Sequence, residues 1–197
     1  MRIFLAGATG VIGTRLIPLL VADGHAVAGL TRSAERASLV RDLGAELVIC
    51  DVYDAAALTA AVTAFRPDLV LHQLTDLPDS AADIADNADR NRRMRSEGTG
   101  NLLAAARAAG AARVIAQSIS WELPGEQAQA ATGAFERSVL RDGGVVIRYG
   151  QFWGPGTYYP DGPPDRPRIH LDDAARQTVA ALGAPAGLTL VADDRAS

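Results

Sequence analysis

The stretch MRIFLAGATGVIG at the start of the chain constrains its fold more than any other. Ile3 to Ala6 is a short apolar run that reads as a buried strand, and it leads into Gly7, Gly10 and Gly13 at the spacing G-x-x-G-x-x-G. Each glycine meets a different need. Gly7 permits a sharp turn, Gly10 lets a pyrophosphate approach the main chain, and Gly13 lets the following helix pack closely on the strand. That helix, predicted over 11–21, points its free N–H groups and positive dipole end at an anion. The stretch predicts a phosphate cradle for a dinucleotide, with a turn that serves packing alone as the competing reading.

Apolar runs and helical patterns then alternate. Strands are predicted over 25–30, 46–50, 68–74, 113–117, 145–148 and 188–191, and helices over 34–43, 55–65, 97–110, 127–140 and from Asp172 or Asp173 to 182. Gly44 and Gly110 stand where helix C-caps belong. Strands and helices in this rhythm imply an α/β fold, a doubly wound parallel sheet of Rossmann-like type with right-handed crossovers. No repeat or linker divides the chain, so a single domain over 1–197 is expected, with 153–167 a Pro/Gly-rich loop on the substrate side. Ligands of such sheets lie beyond the carboxyl ends of the strands. The loops after residues 7, 31, 51, 74, 117 and 149 therefore share one crevice.

Several residues at that crevice invite a chemical role. Arg32 follows the second strand beside Thr31 and Ser33, with no carboxylate at the strand end, a pattern that favours NADP(H) over NAD(H). A solvated loop charge is the plainer reading of Arg32. Asp51 can accept from an adenine amino group, cap the helix that follows, or both. His72 lies inside an apolar strand and reads as a packed histidine. Between 78 and 95 acidic residues give way to Arg90, Arg92, Arg93 and Arg95, either a solvated helix face or a site for an acidic group. Thr75, Ser118, Ser120 and Tyr149, with Tyr158 and Tyr159 of the proline loop, surround the reactive end of a bound nicotinamide.

Composition narrows the class. A formal charge of -4 gives no electrostatic footprint for nucleic acid, and no apolar run reaches the length of a membrane span. Cys50 is the only cysteine, no signal peptide is visible, and no metal-ligand cluster is present, so a cytoplasmic protein of small-molecule metabolism is expected. All 19 basic residues are arginine; the chain has no lysine.

These motifs together resemble the extended or atypical short-chain dehydrogenase/reductase superfamily, the NAD(P)-dependent epimerase/dehydratase-like branch. The resemblance rests on GATGVIG at 7–13, TRS at 31–33, Asp51-Val52, LHQL at 71–74, EGTGNLLAAARAAG at 97–110, RVIAQS at 113–118, RYGQFWGPGT at 148–157 and HLDDAA at 170–175. It implies that Gly7, Thr9, Gly10, Val11, Ile12, Gly13, Arg32, Asp51, Val52, Leu74 and Thr75 contact the cofactor. Ser118, Tyr149 and Gly150 would lie along its nicotinamide half. It also implies structural roles for His72 and His170, and a homodimer through the helices after the fourth and fifth strands.

Two departures limit what is inherited. The superfamily's Y-x-x-x-K pair cannot exist here, and Ala128 and Thr132 stand about where it would fall. The substrate lobe is reduced to the proline loop, which suits a small or flat substrate beside Trp121, Phe152, Trp153, Tyr158 and Tyr159. Packing of the sheet edge is the alternative for that aromatic cluster. Three activities stay open. One is an NADP(H)-dependent reductase or isomerase of a small carbonyl-type metabolite, its proton donor drawn from Tyr149, Tyr158, Tyr159, Ser118, Ser120 or Glu122. The second is a non-redox dehydratase, cyclase or isomerase on the same scaffold, and the third an inactive NADP(H)-sensing or scaffold protein.

Overall fold

The computed structural model describes residues 1–193. Seven strands form one wholly parallel sheet: β1 (Arg2–Ala6), β2 (Ala26–Thr31), β3 (Glu46–Ile49), β4 (Leu69–His72), β5 (Arg113–Ile119), β6 (Val145–Tyr149) and β9 (Gly187–Val191). Their order, β3-β2-β1-β4-β5-β6-β9, reverses direction between β1 and β4. A crevice opens where the two halves diverge, beyond the carboxyl ends of those central strands. A second ladder of two short strands, β7 (Gln151–Trp153) and β8 (Arg168–His170), brackets the proline loop.

Beyond Arg2, strand β1 is apolar because helices cover both of its faces. Ile3, Phe4, Leu5 and Ala6 are all fully buried. Ile3 and Leu5 face a core built with α1 (Gly13–Ala22) and α7 (Leu171–Ala180), whereas Phe4 and Ala6 face α3 (Ala55–Phe65) and α5 (Thr99–Ala108). Helix α1 presents Gly13, Leu16, Ile17 and Leu20 to the first core, the three-and-four spacing of an amphipathic helix. Helix α2 (Ala37–Asp42) flanks β3, and α6 (Glu126–Arg141) covers β5 and β6 through Phe135 and Val139. Helix α4 (Ala88–Arg93) runs into α5 through a π-turn at Met94–Gly98.

Two helix starts differ from expectation. Asp54, not Asp51, caps α3, accepting from the Ala57 N–H at 3.0 Å, while Asp51 accepts from the Tyr53 N–H in the preceding turn. Helix α7 is capped by His170, whose Nδ1 accepts from the Asp172 N–H at 3.3 Å, so neither Asp172 nor Asp173 is the cap. In both cases another side chain reaches the free N–H first.

The glycines of the first turn are held to different standards. A Cβ on Gly13 would lie 2.1 Å from the Gly7 carbonyl oxygen, and one on Gly7, where φ is +96°, would lie 2.7 Å from the Gln73 oxygen. A Cβ on Gly10 would meet only the Gly7 oxygen, at 3.3 Å. Gly13→Ala is therefore expected to lower unfolding stability by about 3 kcal/mol or more, and Gly10→Ala by about 1 kcal/mol or less. Urea unfolding of the two variants beside the parent measures both. Equal losses would show that packing alone fixes all three glycines.

Candidate active site

The cradle is built by the turn between β1 and α1. The Gly10 N–H returns to the Gly7 oxygen at 3.1 Å and the Thr14 N–H to the Gly10 oxygen at 3.1 Å. No side chain caps α1, and its first turn carries no acidic residue. A cleft of about 340 Å³ lined by Thr9, Gly10, Val11, Thr14, Arg15, Pro155 and Gly156 lies beside this helix start. Since the protein itself leaves room beside Gly10, the residue's missing side chain clears the cleft. This arrangement fits a dinucleotide pyrophosphate. Pro155 and Gly156 belong to the proline loop, which is tied down by the Tyr158 hydroxyl donating to the Pro78 oxygen.

The other expected cofactor residues divide by their surroundings. Val11 is 42% exposed on the cleft, whereas the Ile12 side chain is in the core and leaves only its main chain for a ligand. Thr9 and Thr31 join their hydroxyls at 3.2 Å at the end of β2. Arg32 extends from the same end to Asp76, at 3.2 Å, where Arg90 also binds at 2.7 Å. Asp51 and Thr75 are exposed, Leu74 is half-buried, and the buried Val52 gives its carbonyl to Asn101. Gly150 is otherwise engaged. Its N–H donates to Val191, and a Cβ there would fall 2.7 Å from the Arg168 main chain, so it seats β8.

Of the expected proton donors, the five hydroxyls are committed elsewhere, whereas Glu122 is exposed beyond the end of β5. Tyr149 is buried on the α7 side, where Gln73 donates to its oxygen at 3.3 Å and its hydroxyl meets Thr178 Oγ1 at 2.6 Å. Thr178 spends its own proton on the Ala174 oxygen, so the phenol proton goes to Thr178. Burial, against the two hydrogen bonds, pushes Tyr149 up to about 12. Ser118, fully buried on the opposite face, donates to Glu136 at 2.6 Å. Ser120 donates to the Tyr149 carbonyl, Tyr158 to Pro78 and Tyr159 to Gln151. Thr132 bonds back to Ala128 within α6. The aromatic cluster is likewise partly packing: Phe152 rests on Tyr149 and Trp153 on His170.

Sequence reasoning missed the charges beneath this surface. Glu136 is buried and takes Arg148 in a fork, Nε to Oε1 at 2.9 Å and Nη2 to Oε2 at 2.5 Å. Burial pushes its carboxyl up, but the bonds from Arg148 and Ser118 prevail and hold it below the usual range. Asp76, which gathers Arg32 and Arg90, was equally hidden, since an acid shared by arginines 14 and 44 residues away has no local signature. Among the described residues no three His, Cys, Asp or Glu are placed to hold a metal, and no helix is long and apolar enough to cross a membrane.

Residues 3–140 match the model of the NAD dependent epimerase/dehydratase family. The chain belongs to this family. A Streptomyces protein named 3-diazoavenalumate denitrifying reductase is 36% identical, over 98% of this chain and 76% of the relative. That alignment spans 236 positions against 197 residues here, so the relative carries internal residues without counterparts in this chain. Among solved structures, the Thermus thermophilus UDP-glucose 4-epimerase in complex with NAD superposes at a TM-score of 0.81 with 23% identity, over 99% of this chain and 78% of that one. The Thermotoga maritima UDP-glucose 4-epimerase with UDP-glucose gives 0.80 with 17% identity, over 100% and 78%. At these identities the likeness is one of fold.

His72 is the packed histidine the sequence suggested. Its Nδ1 accepts from the Leu74 N–H at 3.2 Å and its Nε2 donates to Thr99 at 2.9 Å, a neutral ring with no place for a second proton. Burial, with the nearby Arg95 charge, pushes it down to about 4. Between its unfolded value near 6.5 and that folded value, the unfolded chain binds a proton that the fold refuses. Stability therefore falls as pH falls through this window, by roughly 3 kcal/mol at full extent. Urea midpoints from pH 7 to pH 4 check this, and His72→Gln is expected to lose that part of the slope.

Proposed function

We propose that the chain is an NADPH-dependent reductase of a small aromatic metabolite whose reacting carbon takes a hydride without needing a proton from the protein. One observation carries this reading. Every hydroxyl the sequence offers as an acid is committed to a protein acceptor, and no lysine exists to activate one. The dihydronicotinamide, when bound, supplies a hydride. A carbonyl that accepts it becomes an alkoxide and needs an acid, a contribution of about 10²- to 10⁴-fold in rate. A carbon bearing a diazo group in its diazonium form does not. Its new C–H bond replaces the C–N bond, whose electron pair leaves with N₂. The relative named as a 3-diazoavenalumate denitrifying reductase supports this class of substrate.

The chain's own residues would then bind, orient and exclude water. Gly7, Thr9, Gly10, Val11 and the main chain of Ile12 and Gly13 hold the pyrophosphate at the start of α1. Arg32 is proposed to meet the 2′-phosphate of NADPH, with Asp76 as the carboxylate it releases and Arg90 remaining on that acid. Leu74 and Thr75 border the ring, and the proline loop closes the cleft at Pro155 and Gly156.

Arg32→Gln is expected to weaken NADPH binding about tenfold to hundredfold, the scale of one charge-assisted phosphate contact, and to leave NADH unchanged. Titration by cofactor fluorescence measures this, and equal effects on both cofactors would remove Arg32 from the 2′-phosphate site. The reaction itself is tested with an ortho-hydroxy diazoarene and NADPH deuterated at C4. One N₂ per NADPH is expected, with the label on the ring carbon. An aromatic aldehyde of similar size should turn over at least about a hundredfold more slowly. Faster reduction of the aldehyde would sink the reading.

A further inference from the structure

Four arginines lie between residues 90 and 95, and three have carboxylate partners. Arg90 binds Asp76, Arg92 binds Asp89, and Arg93 binds Glu97. Arg95 differs. Its Nη1 is buried without a hydrogen-bond partner among the described residues, and its Cζ lies 5.6 Å from the Phe135 ring centroid. The π-turn at Met94–Gly98 carries it there, between the start of α5 and the face of α6, whereas Arg93 stays over the Tyr53 ring outside. A widened helical turn of this kind recurs at functional sites.

The surroundings add up to an unbalanced positive charge. Phe135 stands edge-on to His72 with centroids 5.8 Å apart, and His72 is a neutral ring. Glu136 is the nearby carboxylate, but both of its oxygens are taken by Arg148 and Ser118. Arg95 and Arg148 against Glu136 leave one net positive charge in this group of side chains, beside the carboxyl ends of β4 and β5. A buried cation left without a partner is strongly unfavourable unless an anion joins it. Arg95 as a whole is only half-buried, so a ligand can reach its planar fork from outside.

We infer that Arg95 binds the carboxylate of the substrate, which makes the substrate a small organic acid anchored beside Phe135 and the neutral His72. This rests on the reductase reading for what happens to the bound acid, but the anion site is separable from it. The two are tested apart by using a non-reacting probe. Binding of 4-hydroxycinnamate and of its methyl ester is followed by quenching of tryptophan fluorescence, with and without NADP⁺, alongside an NADPH titration of the same protein.

The acid is expected to bind about tenfold to hundredfold more tightly than the ester. Arg95→Met should bring the two to parity, and Arg95→Lys should restore part of the preference. NADPH affinity should be unchanged in the Met variant and its Tm equal to or above that of the parent, because an unpaired buried cation has been removed. An arginine serving structure alone would lower Tm on removal and leave the preference untouched. Equal binding of acid and ester by the parent, binding of neither at millimolar concentration, or a preference that survives Arg95→Met would overturn the inference. Failure of the parent to bind NADPH, with the acid preference intact, would remove the reductase reading and keep the anion site.

Discussion

The fold depends on one close contact, that between the start of α1 and the turn at the end of β1. Gly13 lies against the Gly7 carbonyl so tightly that no side chain fits between them, and Gly7 also leaves no room for one against Gln73 beyond the end of β4. The first contact fixes the helix on the sheet. The second holds β1 beside β4, where the strand order reverses and the crevice opens. One loop therefore determines both the packing of the central strands and the direction in which uncapped N–H groups point. The shape of the crevice is a consequence of how the core closes.

Polar groups near the crevice are sorted by face. On the α7 side a chain of donors runs from Gln73 through Tyr149 and Thr178 to the Ala174 carbonyl, with the phenol proton assigned by the bond that follows it. On the α6 side Ser118, Arg148 and Glu136 form a second closed group. Closed networks like these stabilise a buried sheet end, since an unpaired donor there costs about 1–3 kcal/mol. Apart from Gln73 Oε1, which is buried without a partner among the described residues, their polar atoms are engaged, and this removes the hydroxyls from chemistry. A hydroxyl that donates to its neighbour and is shut from solvent is a poor acid toward a ligand.

Much of this was legible because the signals are local. The glycine spacing, the apolar run of β1, the end of α2 at Gly44 and the span of α3 all depend on neighbouring residues and agree with the sequence reading. The roles of Tyr149 and Ser118 were misread for a physical reason. Strand residues alternate between faces, and a residue at a strand's carboxyl end can point down into either core as easily as toward the crevice. Which of these occurs depends on partners such as Thr178 and Glu136, 29 and 18 residues away. The caps moved for a related reason, since Asp51 and Asp54 compete for one helix start and only the turn geometry decides between them. Arg95 was visible within its arginine run, but its isolation follows from a π-turn that no residue pattern announces.

The charge balance of the site bears on the lysine question. In a Tyr–Lys pair the cation makes a phenol acidic, so a positive charge serves proton transfer. Here Arg95 lies beside a phenyl ring that stands against a neutral histidine. Guanidinium does not give up its proton in proteins, but its planar fork suits a carboxylate. An arginine without a lysine thus changes what positive charge can do, from lowering a proton donor's pKa to holding an anion in place. A substrate held in that way has to bring its own means of absorbing a hydride, and loss of N₂ from a diazo carbon is a means that asks nothing of the surrounding side chains.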